Sequence, residues 1–324
     1  MIGVAVLGYG YWGPKLARNF AALPDARIVA IADVDETARA LAAREYPEAL
    51  IAADAAAAIA APGVDAVAIA TPPAWHYAQA LAAIEADKHV LIEKPCGTSF
   101  DQARAITAAA AASGRTLMVD HTFIYSPAVE VLASIARGGE LGELIYIESV
   151  RTNLARFDPA IGVVRDLATH DLAILDHVTG RAPVVVSARN RRLPGEPEDF
   201  AFLALDYGGV PAHLHVDCVS PVKIRRMTIG GTEGVVIFDD MEPVEKIRWY
   251  RRGRASTAEL RTGFRSGAVI CPPIAAVEPL ARMAAHFVHC AATKARPLTD
   301  GASALRVLAA VDAVERCLHP ATTR

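Results

Sequence analysis

Residues 2–33 read IGVAVLGYGYWGPKLARNFAALPDARIVAIAD, and the order of parts within them decides the fold. An apolar run from Ile2 to Leu7 leads directly into Gly8-Tyr9-Gly10-Tyr11-Trp12-Gly13. A helical stretch follows from Trp12 to Leu23, and a second apolar run, Arg27 to Ala32, ends at Asp33. Strand, GxGxxG, helix, strand and terminal acid is the order of a dinucleotide-binding βαβ unit. The first two glycines permit a tight turn and close approach of a pyrophosphate, the third permits helix-on-strand packing, and the helix N-terminus presents free N–H groups. Pro14 falls in the first helical turn, where its missing N–H costs little. Asp33 stands where an acid accepts hydrogen bonds from a ribose diol and repels a 2′-phosphate, so NAD is expected over NADP. Val34 and Asp35 follow where an NADP-preferring loop carries Arg or Ser, and Arg39, one helical turn on, is the group that would still reach a phosphate. The plain alternative is a glycine turn in a sheet that binds nothing.

Outward from this unit, short apolar runs alternate with alanine- and leucine-rich helical stretches. Candidate strands are Ile2 to Leu7, Arg27 to Ala32, Ala66 to Ala70, Val90 to Glu93 and Thr116 to Val119. The helices between them are Trp12 to Leu23, Glu36 to Glu45, Ala55 to Ala61, Trp75 to Ala86 and Phe100 to Ser113. Strands apolar along their whole length belong to a parallel sheet covered on both faces, so residues 1–120 read as an α/β Rossmann domain, a doubly wound parallel sheet. After His121 two helices, Pro127 to Arg137 and Asp166 to Val178, precede closely spaced strands at Val184 to Ala188, Phe200 to Asp206, Ala212 to Cys218, Arg226 to Ile229 and Val235 to Phe238. Glycine turns at 207–209 and 230–234 separate them, and two further helices, Leu280 to Lys294 and Ser303 to Leu318, close the chain. Residues 121–324 therefore read as an α+β domain with a large, mostly antiparallel open sheet for substrate binding and oligomerisation.

The 324 residues are 53% hydrophobic and 21% charged, which excludes global disorder, and the length suits two domains. Thirty-three Lys and Arg against 36 Asp and Glu leave a net charge of -3, with no basic field to attract nucleic acid or a membrane surface. Cys96, Cys218, Cys271, Cys290 and Cys317 are scattered, without CxxC pairing, and read as buried reduced thiols. With no apolar run near the roughly 18 residues of a membrane span and no export-signal pattern, a cytoplasmic location is expected.

Three further segments carry chemistry. Thr71-Pro72-Pro73-Ala74-Trp75-His76 and Glu93-Lys94-Pro95 follow apolar strands, on the edge where doubly wound sheets bind ligands. Lys94 at that edge reads either as a tuned lysine at a crevice mouth or as a solvated strand-end residue. In Arg165-Asp166-Leu167-Ala168-Thr169-His170-Asp171, Asp166 and His170 are four apart and share a helix face, with Leu167, Ile174, Leu175 and Val178 as the apolar stripe. A carboxylate and an imidazole so placed make an acid/base pair, a helix-capping aspartate beside a surface histidine, or two ligands of a metal site.

Together, the glycine motif, TPPxxH, EKP and the DxxxH helix resemble the Gfo/Idh/MocA oxidoreductase family over essentially the whole chain. The likeness extends to 10–14, 120–123, 125–129, 227–234 and 296–301, and is nearest to the branch acting on UDP-N-acetylglucosamine or its uronic acid. The resemblance implies an NAD-dependent dehydrogenase of CH–OH groups that moves hydride between a secondary hydroxyl of a sugar or sugar nucleotide and nicotinamide. It implies Lys94, Asp166 and His170 as the catalytic group, no catalytic metal, and Gly8, Gly10, Tyr11, Trp12, Gly13, Asp33, Thr71, Pro72, His76, Glu93 and Lys94 at the cofactor. It further implies His121 near the nicotinamide or substrate, with Tyr125, Asn153 and Arg165 as weaker substrate candidates. Lys15 and Arg165 depart from that branch, whose members often carry Asn and an aromatic residue there.

Other features stay open. Arginines at 189, 191, 192, 248, 251, 252 and 254 read as diphosphate receivers or as solvated strand ends. His213, His215 and Asp217 share a strand face beside Cys218, readable as a zinc site or as a sheet face covered by a second copy in a homodimer or homotetramer. Alternatives for function are a dehydrogenase of free cyclic polyols or aldoses such as inositol, and a non-catalytic NAD(H)-binding sensor or scaffold.

Overall fold

The computed structural model describes residues 1–154, 162–192, 198–252 and 266–319. The chain begins β1 (Ile2–Leu7), α1 (Gly13–Ala21), β2 (Ala26–Ala32), α2 (Glu36–Glu45), β3 (Leu50–Ala52), α3 (Ala55–Ile59), β4 (Ala66–Ile69), α4 (Pro73–Glu85), β5 (His89–Glu93), α5 (Phe100–Ser113) and β6 (Leu117–Asp120), followed by a 3-10 turn at Thr122–Tyr125. It continues with α6 (Pro127–Arg137), β7 (Leu144–Thr152), a π-helical turn at Val164–Ala168 and α7 (Thr169–Thr179). The strands β8 (Val184–Arg192), β9 (Glu198–Asp206), β10 (Pro211–Asp217), β11 (Ile224–Gly231), β12 (Gly234–Asp239), β13 (Ile247–Arg252) and β14 (Ser266–Ile270) come next, then α8 (Pro279–Thr293) and α9 (Gly301–Leu318).

Among the described residues the chain falls into two units: Met1–Tyr125 with Val277–Leu305, and Ser126–Ala276 with the chain from Arg306 onward. The sequence pattern divides the chain once, after residue 120. In the structure α8 returns to the first unit, where it packs on α1 with Phe20 and Phe287 edge to face, ring centres 6.0 Å apart.

The first unit holds a six-stranded parallel sheet in the order β3-β2-β1-β4-β5-β6. Right-handed crossovers send α1 and α2 to one face and α4 and α5 to the other, because the direction of winding reverses between β1 and β4. The crevice at that reversal is where such sheets take ligands. Ala17, Ala80, Ala83 and Ala103 are fully buried on the helices, so the alanine of this chain brings helices close to the sheet. Strand β3 is absent from the sequence reading because three residues carry too little pattern.

The second unit is an eight-stranded sheet in the order β14-β13-β12-β11-β7-β10-β9-β8, antiparallel except where β10 runs parallel to β7. Its central strand β7 is also absent from the sequence reading, as are β13 and β14. The sequence 144–152 carries Glu148 and Arg151 amid its apolar residues, and Arg151 is buried because it forms a two-pronged ion pair with Asp171 of α7, at 2.7 and 3.1 Å. Ser149 donates to the same carboxylate at 3.1 Å, so β7 and α7 are locked together on the inner face. Of the cysteines, Cys96, Cys218 and Cys290 are buried as expected, but Cys271 and Cys317 are exposed.

Candidate active site

Gly8, Gly10, Tyr11, Trp12, Asp33, Thr71 and Pro72 line one cavity of about 880 Å³ at the carboxyl ends of β1, β2 and β4. Two glycines show what the motif is for. A Cβ on Gly13 would lie 2.0 Å from the Gly8 carbonyl oxygen, so this glycine lets α1 close onto the turn. A Cβ on Gly10 would meet no protein atom within 4 Å, and its backbone needs no left-handed conformation. Nothing in the protein therefore demands glycine at position 10, whereas a pyrophosphate lying against that backbone does. The residues present thus fit a dinucleotide.

Asp33 is fixed at the end of β2: its Oδ2 accepts from the Tyr9 N–H at 2.5 Å and its Oδ1 from the Asp35 N–H at 2.8 Å. Asp35 caps α2 through the Thr37 N–H at 2.6 Å, and these backbone hydrogen bonds hold its carboxyl below the usual range. The charged residues lining the cavity, Asp33, Asp35 and Asp54, are all acidic, which suits a ribose diol and opposes a 2′-phosphate. Arg39 turns its Nη1 to the Asp33 and Val34 carbonyls, at 3.0 and 2.9 Å. Gln79 also lines the cavity and accepts from the Thr71 hydroxyl at 2.6 Å; one turn beyond His76 on α4, it lacked a motif to reveal it.

Of the residues expected at the cofactor, Gly13, His76, Glu93 and Lys94 are not among those lining this cavity. His76 is fully buried, its ring nitrogens each 2.8 Å from a carbonyl oxygen, Nδ1 from Pro95 and Nε2 from Thr71. It ties the TPP loop to the EKP loop and is not among the cavity's lining residues; burial lowers its pKa. Glu93, 8% exposed, is likewise absent from that lining and has Asp120 of β6 as its register partner. The next residue, Lys94, stands where the strand leaves the sheet. His121, on the following strand end, is buried, and desolvation together with the Lys94 charge pushes its pKa down to about 4, so it is neutral near pH 7.

Tyr125, a substrate candidate, faces α8 instead. Its hydroxyl lies 3.0 Å from His286 Nδ1 and 3.4 Å from the Thr299 hydroxyl, and its ring is buried. A phenol in the interior takes whatever partner the packing element offers, and α8 joins the first unit only by the late return of the chain.

In the second unit, Asp166 lies inside the π-helical turn and His170 in the first turn of α7; both are half-buried. Neither helical segment has a side-chain cap, which removes the capping reading of Asp166. The extra residue of the π turn rotates the face, so Val164 and Ala168 are buried while Leu167, expected in the apolar stripe, is half-exposed. Arg165 is engaged by two carboxylates of α9, its Nη2 donating to Asp312 at 2.7 Å and its Nε to Glu315 at 2.9 Å, while its buried Nη1 has no partner among the described residues. Asp312 and Glu315, three apart on one helix face, form the clamp that holds the π turn. Asp171 with Arg151 and Asp176 with Arg306 anchor α7 one and six residues beyond His170. Asn153 extends β7 and donates its backbone N–H to Asp217 at 2.9 Å.

His213 and His215 stack on Phe202, with ring centres 6.0 and 4.5 Å apart, and His215 Nε2 lies 3.6 Å from Asp217. No group of three or more His, Cys, Asp or Glu side chains that would hold a metal occurs among the described residues. Of the candidate diphosphate arginines, the side chains of Arg191 and Arg192 and all of Arg254 lie outside the described residues. Arg252 donates to the Thr232 carbonyl at 3.0 Å, and Arg251 sits 5.4 Å from the Trp249 ring centre. No described helix is long and apolar enough to cross a membrane.

Comparison with known proteins agrees with this geometry. Residues 2–121 match the oxidoreductase family with an NAD-binding Rossmann fold, and residues 129–237 match the GFO/IDH/MocA C-terminal domain. The chain is 32% identical over 317 residues to UDP-N-acetylglucosamine 3-dehydrogenase of Acidithiobacillus ferrooxidans, covering 94% of this chain and 93% of that protein. A crystal structure of that enzyme superposes with a TM-score of 0.86 at 27% identity, over 98% of each chain. Inositol 2-dehydrogenase of Mycolicibacterium smegmatis is 30% identical over 223 residues, 66% of this chain and 64% of that protein. The chain belongs to the Gfo/Idh/MocA family of NAD-binding oxidoreductases.

Proposed function

We propose that this protein is a dehydrogenase that oxidises a secondary ring hydroxyl of a sugar nucleotide with NAD, using Lys94, Asp166 and His170. The observation that carries the substrate class is the end-to-end similarity to UDP-N-acetylglucosamine 3-dehydrogenase, over 94% of the chain, whereas the similarity to inositol 2-dehydrogenases spans 53% to 81% of it. When bound, NAD supplies the hydride acceptor at C4 of its nicotinamide. The backbone at Gly10 and the N-terminus of α1 receive the pyrophosphate, and Asp33 the adenosine ribose.

His170 takes the hydroxyl proton as general base, imidazole being the side chain best suited to proton transfer near neutrality. Lys94 hydrogen-bonds the same oxygen and stabilises the negative charge that develops there. Asp166 orients the His170 ring. Arg165, with Asp312 and Glu315, holds the turn that presents Asp166, and so supports the site without touching substrate. The exposed face of the second sheet, around Phe202, His213 and His215, is the surface through which two or four copies associate.

A panel of UDP-sugars, inositols and aldoses, each supplied with NAD or NADP and followed by reduced-nicotinamide absorbance, tests this reading. The expected outcome is turnover of a UDP-linked N-acetylhexosamine or hexuronate with NAD, at a kcat/KM at least about tenfold above that with NADP, a difference of about 1.4 kcal/mol. Turnover confined to inositols moves the protein to the polyol branch, and turnover preferring NADP overturns the role given to Asp33.

A further inference from the structure

Two carboxyl groups at the ends of β5 and β6 remain unused by the cofactor cavity. Glu93 and Asp120 are register partners on adjacent parallel strands, so their backbones lie about 4.8 Å apart and their side chains leave the sheet on the same side. They are 8% and 3% exposed and within hydrogen-bonding reach of each other. The Thr122 hydroxyl donates to Asp120 Oδ1, but Glu93 Oε1 and Asp120 Oδ2 have no donor, N–H or O–H. Facing carboxyl oxygens that both lack a protein donor in a buried site are satisfied by one proton held between them. Two bare carboxylates there would repel.

The surroundings are consistent with that count. Burial, and next the Asp120 charge, push Glu93 well above the usual carboxylate range. Burial also raises Asp120, while its hydrogen bonds to Glu93 and Thr122 draw it back, so Glu93 holds the proton and Asp120 the charge. The charged and titratable neighbours are Lys94, whose positive charge acts on both carboxyls, His121, which is neutral, and Tyr125, which feels Asp120 and is hydrogen-bonded to His286 of α8 and to Thr299.

We propose that Glu93 and Asp120 form a single-proton carboxyl pair, carrying one negative charge, that acts as the positioning counter-charge for Lys94. The functional half of this inference rests on the role of Lys94 proposed above; the shared proton does not. In Glu93→Gln the amide donates to Asp120 as the acid O–H did, and in Asp120→Asn the amide donates to an ionised Glu93. Each single variant therefore keeps both the hydrogen bond and the one charge, and only the double variant loses the charge.

The test is steady-state kinetics of the full chain at pH 7.5 on the substrate found by the panel, with infrared spectroscopy of the same proteins. Each single variant is expected within about threefold of wild-type kcat, and the double variant at least about 20-fold lower with KM for NAD changed less than about threefold, since the counter-charge acts on the step that Lys94 serves. Wild type is expected to show a protonated-carboxyl carbonyl band at that pH that Glu93→Gln removes. Singles as impaired as the double, a double with wild-type turnover, or a wild type without the band each overturn the proposal. If Lys94→Ala leaves turnover intact, the counter-charge role falls with the role of Lys94, while the band still decides the shared proton. Should the double variant not fold, the singles and the band decide it.

Discussion

Lys94→Ala is expected to lower kcat at least about a hundredfold while NAD still binds within about threefold of the wild-type Kd, the loss falling within the ordinary range for a group acting on the proton or charge of the reacting oxygen. The two halves follow from position. Lys94 leaves the sheet at the end of β5, whereas the proposed pyrophosphate and ribose contacts belong to the β1 and β2 ends, so removing the ammonium leaves the bulk of that cavity intact. Burst and steady-state kinetics together with calorimetric NAD titration measure both halves. Turnover near that of wild type refutes the assignment, and a parallel collapse of NAD affinity recasts Lys94 as a cofactor ligand.

The second large effect separates two glycines three residues apart. In Gly13→Ala the new methyl stands 2.0 Å from the Gly8 oxygen, with backbone on both sides, so α1 must move off the turn. A loss of about 2–4 kcal/mol in stability is expected, as for other overpacking and backbone conflicts, together with loss of measurable NAD binding. In Gly10→Ala the methyl enters open cavity, so the unfolding midpoint should stay within about 2 °C of wild type, a change below roughly 1 kcal/mol. Its NAD Kd should nevertheless rise at least about tenfold, because the backbone is no longer approachable. Thermal unfolding with and without NAD reads both variants. Equal destabilisation of the two would mean that Gly10 serves the fold and not the cofactor.

The cofactor half of the site is legible in the sequence because its determinants are local. Gly8 to Gly13 and Asp33 lie within one βαβ unit, and the apolar runs before Thr71 and Lys94 announce strand ends directly. What escapes the sequence depends on partners far along the chain. Arg165 looks like a cation beside a catalytic pair until Asp312 and Glu315, about 150 residues later, are seen to hold it. Tyr125 looks available until α8 returns to cover it. Strand β7 is obscured by Arg151, whose charge is tolerated inside only because Asp171 meets it from α7. Glu93 reads as part of a cofactor motif, and only the register of β5 with β6 sets it against Asp120. The π turn is invisible for another reason: one extra residue per turn shifts which side chains share a face without altering composition, so Leu167 and Ala168 exchange places.

The central claim is direct hydride transfer from a sugar-ring carbon to the nicotinamide. Ring-deuterated UDP-N-acetylglucosamine incubated with the enzyme and NAD, with mass spectrometry of the reduced nucleotide, tests it most directly. The account predicts NADH carrying a single deuterium, located at C4. Unlabelled NADH, or a deuterated sugar left unoxidised while an inositol is consumed, would contradict it.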